Sequence, residues 1–396
     1  MQKLAPLMVG ALAAWLGVAH AQVPDYIIQS NAAPLKPLSV PLSAPASPVR
    51  TTVLPAAPAA PAAAPVAPAV PAAPAVPAAP AAKSPAPAAR APLKIGVLLP
   101  TGSATFGEAA QVVQAGMNAA AATDGQAELV FVDEQSDDLS ARYRALVQSG
   151  VRVVVGPLTR PGIARIASQV TVPTLALNGF DAGLKVAPRL YGLSLVVEGE
   201  ARQMVSVMRD DGRSKPLVVS TADPLSHRLA QAFVDEWQKR TGAAPAQLDW
   251  PFSAPMTESL AQADAVFIAM TPPEASALKA ALPSNLSVYA TSQLNTRKPD
   301  ASLAGIRFID MPWFLMPEQE QVKRYPRPSA ALTMQTERLY ALGIDAYRLA
   351  LLLAAGKNTP ATLKLSGVTG DLQLGSDHQF GRVLPMAIMM PDNNGQ

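Results

Sequence analysis

KIGVLLPTGSATFGEAAQVVQAGMNAAAATDGQAELVFVDE, residues 94–134, decides the fold. The apolar run 94–100 is too short for a helix and stops at Thr101-Gly102, a turn. Ala110, Val113, Met117 and Ala120 then fall on one helical face. ELVFVDE (128–134) returns to a short β-rich run. Strand, helix and strand in immediate succession form a βαβ unit, whose crossover is right-handed.

The alternation continues outward. A helix around 141–147 precedes VRVVVGP (151–157), and a helix around 163–170 precedes VPTLALN (172–178). Runs this apolar fit parallel strands covered on both faces. The pattern then restarts. PLVVST (216–221) leads into a helix over 225–242 with Leu229, Phe233 and Trp237 in one stripe and Gly242 as its stop. DAVFIAM (264–270), VYATS (288–292) and IRFIDMPW (306–313) extend the strand series. A long helix over 337–356 follows, and GDLQLGSD (370–377) with RVLPMAIMM (382–390) predicts a terminal hairpin. The expected fold is α/β, with two doubly wound parallel-sheet lobes. Lobe 1 takes about 93–193 and 293–356, and lobe 2 about 194–292 and 357–391, within a globular part spanning 93–391.

Upstream the composition changes. Residues 1–21 carry Lys3, an apolar run over 4–19 and Ala19-His20-Ala21, the pattern of a cleaved secretory signal. An uncleaved membrane anchor is the competing reading of the same run. Residues 22–92 hold the long Ala/Pro tract beginning PAAPAAPAAAP, where repeated proline stops both helix and sheet. This segment is expected to be disordered and PPII-like, acting as a spacer. The combination predicts a periplasmic location.

Composition excludes several kinds of chemistry. The chain has no cysteine, so disulfides, thiolate metal sites, cysteine nucleophiles and a lipid-bearing N-terminal cysteine are ruled out. A net charge of +3 with no basic run gives no nucleic-acid surface. Only His227 and His378 lie beyond the signal; both read as surface histidines, and no metal constellation forms around them. One S-x-x-K, Ser276 to Lys279, lacks the companion motifs of penicillin-recognising enzymes. The acidic stretch 133–138 lacks the glycine and terminal glutamate of a calcium loop. No nucleotide-binding glycine pattern occurs, and neither a catalytic residue nor a cofactor is expected. The remaining candidates for ligand binding are polar residues at strand carboxyl ends, where open α/β sheets hold ligands: Thr101, Ser103, Thr159 and Asn178. The same residue types serve equally as helix caps and turn formers.

A set of segments in fixed order gives a sharper expectation. KIGVLLPTGSATFG (94–107), VVVGPLTR (153–160), YGLSLVVEGEARQ (191–203), DAVFIAMTPPEA (264–275), GIRFIDMPW (305–313) and RLYALGIDAYRLA (338–350) together resemble the C-terminal domain of the LppC/LpoA family of penicillin-binding protein activators. The resemblance implies a type I periplasmic-binding fold. It also implies a non-enzymatic regulator that stimulates peptidoglycan synthesis by contacting a class A penicillin-binding protein, with peptidoglycan as a further contact. Family members typically carry a lipid-bearing cysteine and an N-terminal helical domain; here the Ala/Pro tract stands in their place. A small-molecule receptor of the amino-acid-binding type is the alternative that the fold supports.

Overall fold

A computed structural model describes residues 92–391, apart from 126, 136–137, 253–256, 299 and 357–362. The secretory signal and the Ala/Pro tract up to residue 91 lie outside the described residues.

The first lobe is built from β1 (Leu93–Leu99), α1 (Gly107–Asp124), β2 (Ala127–Asp133), α2 (Leu139–Gln148), β3 (Val153–Val155), α3 (Arg160–Ile166), β4 (Thr174–Ala176) and β5 (Leu190–Gly192). Its strands run in the order β2-β1-β3-β4-β5, and every pair is parallel. Strand alternation fills both faces. Ile95, Val97, Leu99, Val153 and Val155 pack with Val113 and Met117 on one side. Leu98 and Val154 pack with Tyr143, Leu146 and Ile163 on the other. Two faces buried under helices explain why these strands read as unbroken apolar runs.

The second lobe contains α4 (Glu198–Asp210), β6 (Pro216–Thr221), α5 (Pro224–Thr241), β7 (Ala246–Trp250), α6 (Thr257–Gln262), β8 (Ala265–Ile268), α7 (Pro272–Ala281), β9 (Ser287–Ala290) and β10 (Arg307–Ile309). Leu229, Phe233 and Trp237 are buried as their spacing predicts, and Gly242 ends α5 at φ 83°. Phe233 stacks on both Trp237 and Phe267, which fixes α5 on the sheet.

The chain then returns through α8 (Pro312–Leu315), α9 (Glu320–Lys323) and α10 (Met334–Ala354) to β11 (Lys364–Ser366), β12 (Asp371–Leu374), β13 (Phe380–Val383) and β14 (Met386–Ile388). Helix α10 belongs to the first core: Leu339, Leu342, Ala346, Leu349 and Leu353 are buried in it.

The structure redraws the lobe boundaries expected from sequence. Strand β10 was expected in lobe 1, but it pairs with β9 and β14 in the second sheet, whose order is β14-β10-β9-β8-β6-β7. Leu363, Val368, Leu372, Leu374 and Phe380 were expected in lobe 2, but they are buried in the first core. The physical reason is that the chain passes between lobes several times near its end, and strand content alone carries no sheet assignment. The terminal hairpin forms between β12 and β13, while β14 leaves it to run antiparallel along β10.

Candidate functional site at the strand ends

The four candidate residues all lie at the carboxyl edge of the first sheet. Ser103, after β1, accepts hydrogen bonds from the N–H groups of Thr105 and Phe106 (3.3 and 3.1 Å), which secures the entry to α1. Thr101 beside it is half-buried. Gly102 donates its N–H to Asp133 at the end of β2 (2.9 Å), so the first two strand ends are tied together. Thr159 is the N-cap of α3 and accepts from the N–H of Gly162 (3.1 Å). Asn178 is buried; its amide donates to the Leu158 carbonyl (3.2 Å) and its Oδ1 accepts from the N–H of Gly179 (2.9 Å). Capping and turn formation thus occupy three of the four side chains.

Glu134 ties the end of β2 to Leu158 and Thr159 after β3. Its carboxylate accepts from the N–H groups of Leu158 and Thr159 (2.8 and 3.1 Å) and from the Thr159 hydroxyl. Only 3% of the residue is exposed. Burial pushes its pKa up to about 7, and the hydrogen bonds from Thr159 and Leu158 oppose that rise. The sequence places Glu134 at the end of the run 128–134 and in the acidic stretch 133–138, without marking it as buried. The available signal was position: it directly follows a strand whose neighbours face the core.

The other residues singled out from sequence are dispersed. His227 is exposed in the first turn of α5. His378 is not a surface histidine: it is half-buried, stacks on Tyr191 (5.7 Å between ring centres) and sits 3.3 Å from the Leu190 carbonyl. Ser276 and Lys279 both lie on α7. Among the described residues no group of three or more His, Cys, Asp or Glu could hold a metal ion, and no helix is long and apolar enough to cross a membrane.

A second polar constellation joins the lobes, and sequence reading missed it. Arg338 of α10 forms a two-pronged pair with Asp310, just beyond β10 (2.8 and 2.9 Å), and also donates to the Ser292 carbonyl (3.2 Å). Glu200 of α4 accepts from the N–H of Ser292 (3.0 Å) and lies 3.6 Å from Arg382 of β13. Arg382 donates in turn to the Thr369 carbonyl (3.2 Å). All four charged groups are buried. Burial raises the carboxyl pKa values of Glu200 and Asp310, while Arg382 and Arg338 respectively pull them back. Two cations against two anions leave the cluster electrically balanced, which buried charges require. Close by, Gln203 of α4 exchanges two hydrogen bonds with the backbone of Leu384 (2.7 and 3.0 Å).

Known proteins share this architecture. A Chromobacterium violaceum structure described as a "putative branched-chain amino acid ABC transporter" is 53% identical, covers 75% of this chain and 100% of its own, and superposes with a TM-score of 0.71. Full-length LpoA from Haemophilus influenzae is 25% identical, covers 76% of this chain and 58% of its own, with a TM-score of 0.64. The fold is therefore that of periplasmic-binding-type proteins. The "Penicillin-binding protein activator LpoA" of Yersinia pseudotuberculosis is 28% identical over 317 residues, which is 65% of this chain and 48% of that protein. The chain thus spans about half the length of the curated relatives it matches. Residues 66–250 and 253–387 match the family model described as "LppC putative lipoprotein", and the chain belongs to the LppC family.

Proposed function

We propose that this protein is a non-catalytic regulator of the periplasm that stimulates peptidoglycan synthesis by binding a class A penicillin-binding protein. The observation that carries the reading is the extent of the family match, which runs through both lobes to residue 387. A relative matched over 65% of this chain is named as a penicillin-binding protein activator. Two features support a regulator: three of the four strand-end side chains are spent on caps and turns, and the buried charges are balanced internally. The test is reconstitution. Purified protein added to a class A synthase with lipid-linked precursor should raise polymerisation or cross-linking and bind the synthase. Unchanged rates together with no binding would sink the reading.

A second reading has its own support. The similar Chromobacterium violaceum structure is described as a "putative branched-chain amino acid ABC transporter". Under that reading Thr101, Ser103, Thr159 and Asn178 line a ligand cleft. A receptor would melt at temperatures that rise with amino-acid concentration. A regulator working through protein contact would not.

A further inference from the structure

The loop after β9 carries Arg297 at φ 67°, a left-handed conformation that residues with a side chain seldom adopt. The loop is firmly anchored. The Arg297 N–H donates to Asn295 Oδ1 (2.8 Å), and Asn295 Nδ2 donates to the buried Asp310 (2.8 Å). Held this way, the Arg297 guanidinium donates through Nη2 to Glu337 and through Nε to Met334 Sδ (3.0 Å), and its Cζ lies 5.4 Å from the Phe314 ring centre. Arg327 approaches the same carboxylate from another segment (3.4 Å), with its Cζ 3.9 Å above the ring of Trp313. The Trp313 indole N–H also donates to Glu337 (2.8 Å).

The charge count decides what this arrangement can do. One buried carboxylate serves two guanidiniums, whose side chains remain 48% and 45% exposed. Lys298, next to Arg297, is exposed as well. Two guanidiniums and Lys298 against one carboxylate leave an excess of positive charge on exposed side chains. Backbone strain such as that at Arg297 collects at binding sites. Two planar donor forks braced on aromatic rings match carboxylates closely. Trp313 is fully buried and Phe314 half-buried, so the two rings form a floor beneath the guanidiniums, and the guanidiniums are the exposed part of this shelf.

We propose that Arg297 and Arg327, set on the Trp313–Phe314 shelf, receive an acidic segment of the protein partner. This rests on the proposed function and names the contact through which the class A synthase would be held. Binding of the full chain to a purified class A penicillin-binding protein should be measured for wild type and for the double variant Arg297→Gln, Arg327→Gln, with melting curves as a fold control. The variant should bind about ten-fold more weakly, the scale of losing charged contacts at an interface. Wild-type binding should weaken as salt is raised, and the variant should lose most of that dependence. If the variant melts early, the wild-type salt titration decides, and indifference to salt overturns the proposal. Undiminished binding by a folded variant overturns this contact alone. Absence of wild-type binding overturns the proposed function and the contact with it. Loss of binding to purified wall sacculi, with synthase binding kept, would assign the shelf to a wall carboxylate instead and also overturn the proposal.

Discussion

Glu134 shows how a single residue couples the strand ends to pH. Its carboxyl group is buried, accepts three hydrogen bonds and titrates near 7. In the unfolded chain it would titrate in the usual carboxylate range. Between those values the folded state holds a proton that the unfolded state has lost. Its stabilising contribution is therefore complete at low pH and disappears as pH rises through about 7. The difference corresponds to roughly 3 kcal/mol. Glu134→Gln removes the titration and keeps an acceptor for the Leu158 N–H. Wild type should lose more stability than the variant between about pH 5 and pH 8, by an amount of that order, on top of the pH dependence that the buried Glu200 and Asp310 give both proteins. Denaturant melts at several pH values would read the difference; parallel curves for the two proteins would refute it. The same residue marks a limit of sequence reading. Thr159 and Asn178 are recognisable as cap and turn types from sequence, but the carboxylate that joins Thr159 to Leu158 is not, because its partners arrive from a different strand.

At the scale of elements, the crossing of α1 and α10 sets the thickness of the first lobe. Gly116 and Gly343 face each other there. A Cβ on Gly116 would lie 2.0 Å from the Tyr340 carbonyl oxygen, and one on Gly343 would lie 2.1 Å from that of Val113. Both obstacles are backbone, so rotamer changes give no relief and the helices must separate. Gly343→Ala should cost about 2 kcal/mol or more despite alanine's better helix propensity. Urea unfolding would measure it, and a neutral or stabilising effect would show that the helices have room to move. Most elements are legible in the sequence because both faces of the strands are buried and the helices are amphipathic. The exceptions have physical causes. Strand β5 reads Leu-Tyr-Gly, without the β-branched run that marks a strand such as β3, and β7 is a largely exposed edge strand without an apolar run. Helix α4 opens with two buried glutamates, Glu198 and Glu200, which dilute its apolar face. The run that became β10 reads clearly as a strand, but its neighbour is set by how the chain crosses between lobes.

For the whole molecule, the controlling feature is the buried set of Arg338, Asp310, Glu200 and Arg382. It draws on α10 of the first core, on strand ends and α4 of the second lobe, and on β13. Charged residues within apolar stretches such as FIDMPW and ERLYALGID are the sequence trace of such a set, since a buried charge needs a partner. Which residues pair is settled only by the fold. Removing one member leaves its partner charged in a dry interior. Arg338→Met should therefore destabilise by about 3–5 kcal/mol, whereas the double replacement Arg338→Met, Asp310→Asn should recover a large part of that loss. Denaturant unfolding of the two single variants and the double variant gives the coupling directly. Independent, additive losses would mean that the pair does not act as a unit. The position of the pair adds a second readout. A lock that spans the lobes should keep their arrangement fixed, so solution scattering of wild type should be unchanged when amino acids are added. Arg338→Met should broaden the range of lobe arrangements while leaving each lobe's secondary structure intact. Compaction of the wild type on adding an amino acid would show that the lobes close in spite of the pair, and would favour the receptor reading over the regulator.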